Sequence, residues 1–238
     1  NYDFMPLLQG QSAYLNKADI AICHQETPFT EIGQEPTGYP IFATPWELAG
    51  TEKAIDYDAC DTSSNHTVDQ GYSGVVRTLD VLDQNGLKHT GSYRSPEEAN
   101  QVLIMDTPAG KVAFISATFS VNGNFNEFDW QVNYPLDPDV MIARAAQARA
   151  EGADVVIGVQ HDDLHRIRVR GVHRVDVQLA KAPRQVPLLH GGDGLVLKEQ
   201  HMVLEQPGQQ RIALGVAHGL GQVNAGDKGA NGRAQGLD

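Results

Sequence analysis

Short apolar runs that alternate with helical patterns predict an α/β protein, a sheet with helices packed on its faces. Two observations carry that expectation. The first is the alternation: strand-like "ADIAIC" (18–23) and "YDACDTSS" (57–64), an apolar hairpin at 101–119 and "DVVIGV" (154–159), with helix signals between them. The second is that three of these runs lead into side chains able to bind metals, Glu26, Asn65-His66 and His161. Ligands of such sheets collect outside the carboxyl ends of the strands.

The elements follow in order. "ADIAIC" is short, apolar and partly β-branched, which suits a buried strand, and it runs into His24-Gln25-Glu26 and a loop containing Pro and Gly. In "TPWEL" (44–48) Thr44 is placed as an N-cap, Pro45 at the first helical position and Glu47 to close a capping box. A helix of about two to three turns is expected there. The weaker run at 57–64 leads into "SNHTVDQGYSG" (64–74). From Gly71, the spacing of Val75, Val76, Leu79 and Leu82 puts four apolar side chains on one helical face, and Gly86 stands where a left-handed residue ends a helix. Residues 101–119 are two apolar runs around Thr107-Pro108-Ala109-Gly110, a hairpin. Asp137-Pro138 opens another helix through about Glu151, closed by Gly152, before the buried strand at 154–159.

A chain of 238 residues is long enough for one domain with a substantial core. Its net charge of −12 argues against nucleic-acid binding, which depends on Lys and Arg neutralising phosphates. No apolar run approaches the ~20 residues that span a bilayer. The N-terminus shows no basic region followed by a long apolar stretch, and its lack of a starting Met fits an N-terminal segment having been removed. Cys23 and Cys60 form no disulfide framework or CxxC pair and read as small buried hydrophobes. Residues 1–134 hold 18 acidic and 6 basic side chains, against 12 of each in residues 135–238. All 7 Phe, 2 Trp and 7 Tyr also fall at or before Tyr134.

Glu26, Asn65, His66 and His161 offer a carboxylate, an amide oxygen and two imidazoles, donors that suit Mn, Zn or Fe. One histidine after a strand is more often a hydrogen-bonded surface residue; agreement among three strand ends favours a site. The segments "ADIAICHQETPF" (18–29), "YDACDTSSNHTVDQGYSGVVRTLDVLDQNGLKHTGS" (57–92), "GKVAFISATFSVNG" (110–123) and "ADVVIGVQH" (153–161) are similar to those of the bacterial CapA family, the capsule or poly-γ-glutamate biosynthesis proteins. The resemblance implies a layered α/β metallophosphatase-like (calcineurin-like) fold, incomplete at the N-terminus, over residues 1–161, with 162–238 a divergent continuation of the same domain. It implies that Glu26, Asn65, His66 and His161 belong to a divalent-metal cluster, with His66 and His161 the catalytic candidates and Asp69 behind them. It further implies cell-envelope polymer synthesis, with the protein in the cell envelope or at the extracellular face of a bacterium. The partners would be an anionic polymer or small phosphorylated substrate and other capsule-synthesis proteins, with no nucleic acid. A non-catalytic polymer- or partner-binding module on the same fold is the other expectation.

Two departures stand out. The family's Gly-Asp element precedes the "YDF" segment, whereas this chain starts at Asn1, and its Gly-His-His-x-His-like element is not reproduced after residue 161. The aromatic-free tail reads either as a shifted reading frame or extreme divergence, or as an unusual subdomain supported by alternation in "RVDVQL" (174–179). His161 and His165 are spaced for one helical turn but lack the intervening Glu of zinc pairs. "GGDG" (191–194) lacks the Lys-Ser or Lys-Thr of a phosphate loop. No Gly-x-Ser-x-Gly elbow supports a Ser-His-Asp triad. The sequon Asn65-His66-Thr67 reads as an ordinary surface loop.

Overall fold

A computed structural model describes residues 1–161 and the strands at 178–179, 202–206 and 209–214. The chain enters through two single helical turns, α1 (Met5–Leu8) and α2 (Ser12–Leu15), and then forms β1 (Ile20–His24). Further along come α3 (Glu47–Ala54), β2 (Ala59–Asp61), α4 (Gly71–Gln84) and β3 (Lys88–Thr90). A short α5 (Pro96–Ala99) precedes the hairpin of β4 (Leu103–Thr107) and β5 (Gly110–Thr118). After α6 (Pro138–Ala150) and β6 (Val155–His161), the described strands are β7 (Gln178–Leu179), β8 (Met202–Gln206) and β9 (Gln209–Leu214).

These strands make two mixed sheets, ordered β3-β2-β1-β9-β8 and β4-β5-β6-β7. Side-chain alternation in β1 sorts the layers. Ile20 and Ile22 face the second sheet and share a buried cluster with Ala59, Met105, Val112, Phe114, Val155 and Ile157. Ala21 and Cys23 point the other way, into a cluster with Leu48, Val75, Leu79 and Leu82 of α3 and α4. On the far side, Ala113, Ile115 and Val156 pack against Ala148, Ala145 and Met141 of α6. The layers therefore run helix, sheet, sheet, helix. Covering both faces of each sheet explains why β1 and the middle of β5 read as continuous apolar runs.

The predicted helices and hairpin are present, with local differences. Gly86 takes φ +73°, its N–H donates to Asp83 and the Leu87 N–H reaches back to Leu82. That is the left-handed cap expected at the end of α4. Gly152, at φ +100°, ends the segment after α6 in the same way, with Ala153 bonded back to Ala148. On α4, Val81 is buried and Val76 lies at the half-buried edge, so the apolar face is rotated from the one expected. The capping box at Thr44 does not form. Helix α3 starts at Glu47 after Trp46, with no side-chain cap. Thr44 is drawn instead into a backbone bridge with Phe29, and its hydroxyl bonds to that of Thr27.

Cys23 and Cys60 are both fully buried, as expected, but they are register partners on adjacent parallel strands and are joined as a disulfide. Expecting two separate thiols was therefore incorrect. Among the described residues no helix is long and apolar enough to cross a membrane. In the aromatic-free tail, β9 runs parallel to β1 and β7 antiparallel to β6. His165, the start of "RVDVQL", "GGDG" and the expected reading-frame shift lie outside the described residues.

Candidate metal centre

Parallel pairing brings the expected strand ends together. His24 at the end of β1 is the register partner of Asp61 at the end of β2, and in the other sheet Thr118 pairs with His161 at the end of β6. Past β2, the chain folds into consecutive turns over residues 64–70. The Thr67 hydroxyl holds this loop, accepting from the Ser64 N–H at 2.7 Å and donating to the Thr62 carbonyl at 2.8 Å. The Ser64 hydroxyl ties it to the segment after β1 by donating to the Glu26 carbonyl. These bonds hold the backbone that carries Asn65 and His66 against the backbone at Glu26.

Two histidines carry carboxylate partners. His66 Nδ1 lies 2.7 Å from Asp69 Oδ2, and the Phe42 and His66 rings meet nearly at right angles, with centroids 4.6 Å apart. Asp69 also accepts from the Phe42 N–H at 2.8 Å and from Asn124 Nδ2 at 2.9 Å. His24 Nδ1 sits 2.9 Å from both oxygens of Asp61, whose Oδ1 accepts from the Ser116 hydroxyl at 2.9 Å. The His24 and His161 rings stack at 4.8 Å and 18°. His161 Nε2 meets Asn65 Oδ1 at 2.9 Å across 96 residues of sequence. Asn122, a non-glycine residue at φ +55°, bridges Asn65 and His66, each at 3.3 Å.

Burial and charge differentiate these imidazoles. Burial, then repulsion from His24, pushes His161 down to about 4, with Glu26 and Asp61 opposing the shift and His66 adding to it. At neutral pH His161 is therefore uncharged, the form in which imidazole binds metals. Burial also disfavours charge on His24, but the charge and hydrogen bond of Asp61, with Glu26 behind them, carry its pKa above the ordinary value. The Glu26 carboxylate is thus within electrostatic reach of both rings.

Of the residues predicted from sequence, Asn65 and His161 are in direct contact, Glu26 acts on His161 through its charge, and His66 is joined through Asn122. His24, Asp61 and Asn122 were not among the predicted site residues. An acid and a histidine ending otherwise apolar strands were the available signals for the first two. Asn122 had none, because its place depends on the backbone of the loop after β5. Cys23, Glu52 and Cys60 also lie close together, but the sulfurs are bonded to each other and thus closed to a metal.

A family model described as bacterial capsule synthesis protein PGA_cap matches residues 1–165. Two curated relatives, uncharacterized protein y4sH and uncharacterized protein y4uA of Sinorhizobium fredii (strain NBRC 101917 / NGR234), are each 24% identical over 160 residues, 65% of this chain and 34% of theirs. The chain thus spans about a third of the length of these relatives.

Proposed function

This chain belongs to the bacterial capsule synthesis protein PGA_cap family, and on that footing we propose that it is a metal-dependent hydrolase of the phosphoesterase type with a metallophosphatase-like fold. Its place would be capsule or poly-γ-glutamate synthesis at the bacterial cell envelope. The observation that carries the reading is the 2.9 Å contact between Asn65, in the loop after β2, and His161, at the end of β6 in the other sheet.

The donors fit a divalent ion of the Mn, Zn or Fe kind. They are a carboxylate, an amide oxygen and an uncharged imidazole. Two donors on one octahedral ion at ~2.1 Å stand ~3.0 Å apart, close to the separation of Asn65 Oδ1 and His161 Nε2. Glu26, Asn65 and His161 would hold the ion. When bound, it supplies Lewis acidity, lowering the pKa of a bound water and balancing an anionic substrate. That balance matters on a chain of net charge −12.

His66 is assigned the proton. Asp69 holds its Nδ1, and Nε2, which meets Asn122 Nδ2 at 3.3 Å, would pass a proton to a leaving group that takes the place of Asn122; the ring is half-buried. The test uses the purified full chain. Metal content is measured, and hydrolysis of p-nitrophenyl phosphate and bis-p-nitrophenyl phosphate is followed before chelation, after it, and after Mn, Zn or Fe is restored. Activity that follows the metal, with His66→Ala lowering kcat ~100-fold or more while metal is retained, supports the reading. Protein that takes up no metal and cleaves neither substrate overturns it in favour of a polymer-binding module.

A further inference from the structure

We propose that His24 is a further ligand of this centre, binding a divalent ion through Nε2, with Asp61 the positioning residue that fixes its ring. The proposal rests on reading the cluster as a metal centre. It starts from an unanswered polar atom. His24 is only 7% exposed, and its Nε2 has no hydrogen-bond partner among the described residues. Buried polar atoms are rarely left in that condition without an ion, a water or a functional reason.

The other side of the ring is fully engaged. Nδ1 faces both Asp61 oxygens at 2.9 Å, and Asp61 is itself 2% exposed and bonded to Ser116. An imidazole that donates its Nδ1–H to a carboxylate presents Nε2 as a lone pair, the orientation and tautomer that metal-binding histidines use. Were Nε2 to carry a proton instead, it would be a buried donor with nothing among the described residues to receive it. Neither form is satisfied by the described residues alone. The ring also neighbours that of His161, with centroids 4.8 Å apart, so an ion at His24 Nε2 would lie close to a second histidine. Asp61 could instead serve only to tie β1 to β2, and the experiment separates that role from the proposed one.

The full chain and its His24→Gln, His24→Asn and Asp61→Asn variants are titrated with Mn2+ and Zn2+ by calorimetry and with Co2+ by visible absorption. Metal-free thermal unfolding is recorded for each. Both His24 variants should bind at least ~10-fold more weakly and alter the Co2+ d–d bands. Asp61→Asn should weaken binding by ~10–100-fold, as loss of a partner behind a ligand does. Metal-free Tm should stay near that of the parent. In the parent protein, labelled with 15N-histidine, Zn2+ should shift the His24 Nε2 resonance, a readout that needs no variant. Parent-like affinity and Co2+ bands in the His24 variants, or an unmoved His24 Nε2 resonance at saturating Zn2+, overturn the assignment while leaving the centre intact. A parent protein that binds no ion overturns both.

Discussion

Replacing Glu52 by Gln should remove a pH dependence of stability that one buried carboxyl group imposes on this fold. Glu52 lies on α3, fully buried, and its Oε1 has no hydrogen-bond partner among the described residues. Burial pushes its pKa up from 4.5 to about 8. Between those values the folded state keeps a proton that the unfolded chain has lost, so stability falls as pH rises. The contribution is fully present below about 4.5 and is lost as pH climbs through about 8. The slope approaches roughly 1 kcal/mol per pH unit, and several kcal/mol accumulate across the window. Gln has nearly the same shape and no titration. Urea unfolding of parent and Glu52→Gln at pH 5, 6, 7 and 8, without reductant, measures the difference directly, because titrations shared by both proteins cancel. The variant should gain steadily on the parent with rising pH. Parallel stability profiles would mean that the Glu52 carboxyl does not hold its proton on folding, and would place a neutralising partner or solvent beside it.

Other perturbations test packing, covalent structure and backbone. Leu79 is 0% exposed in the cluster between α4 and the first sheet, so Leu79→Ala should cost about 2–5 kcal/mol in chemical denaturation. Thiol titration of the denatured, unreduced protein should find neither Cys23 nor Cys60 free, and the Cys23→Ala/Cys60→Ala double variant should lose about 4 kcal/mol from releasing a loop with 37 residues of separation. A Cβ at Gly86 meets no atom within 4 Å, so Gly86→Ala should cost only the ~1–2 kcal/mol of a left-handed backbone. At Gly91, with φ +110°, the same Cβ falls 2.7 Å from Ser63 Cβ and 2.8 Å from Ser63 N, so Gly91→Ala should be markedly worse in the same assay.

The sequence by itself determined those elements whose signals are local. Helix α4 follows from apolar residues three and four apart together with Gly86, α6 from Asp137-Pro138 and Gly152, and the β4–β5 hairpin from its turn residues. Asp137 does cap α6, accepting from the Asp139 N–H at 2.9 Å. Thr44 carries a similar signal, yet Thr27, 17 positions away, takes its hydroxyl, and no local rule anticipates that competition. Strand β3 is only Lys88-His89-Thr90, with one buried residue, and exists because β2 offers it a parallel edge. Register decided the rest. The one-to-one alignment of β1 with β2 makes Cys23 and Cys60 a bonded pair and gives His24 its Asp61. Stacking the two sheets then sets His161 over His24 and against Asn65. Residue types and spacing could nominate Glu26, Asn65, His66 and His161. Only packing sheet on sheet could stack His24 on His161 and leave its Nε2 without a partner among the described residues, because strand register and sheet stacking are settled by buried surfaces far apart in the chain.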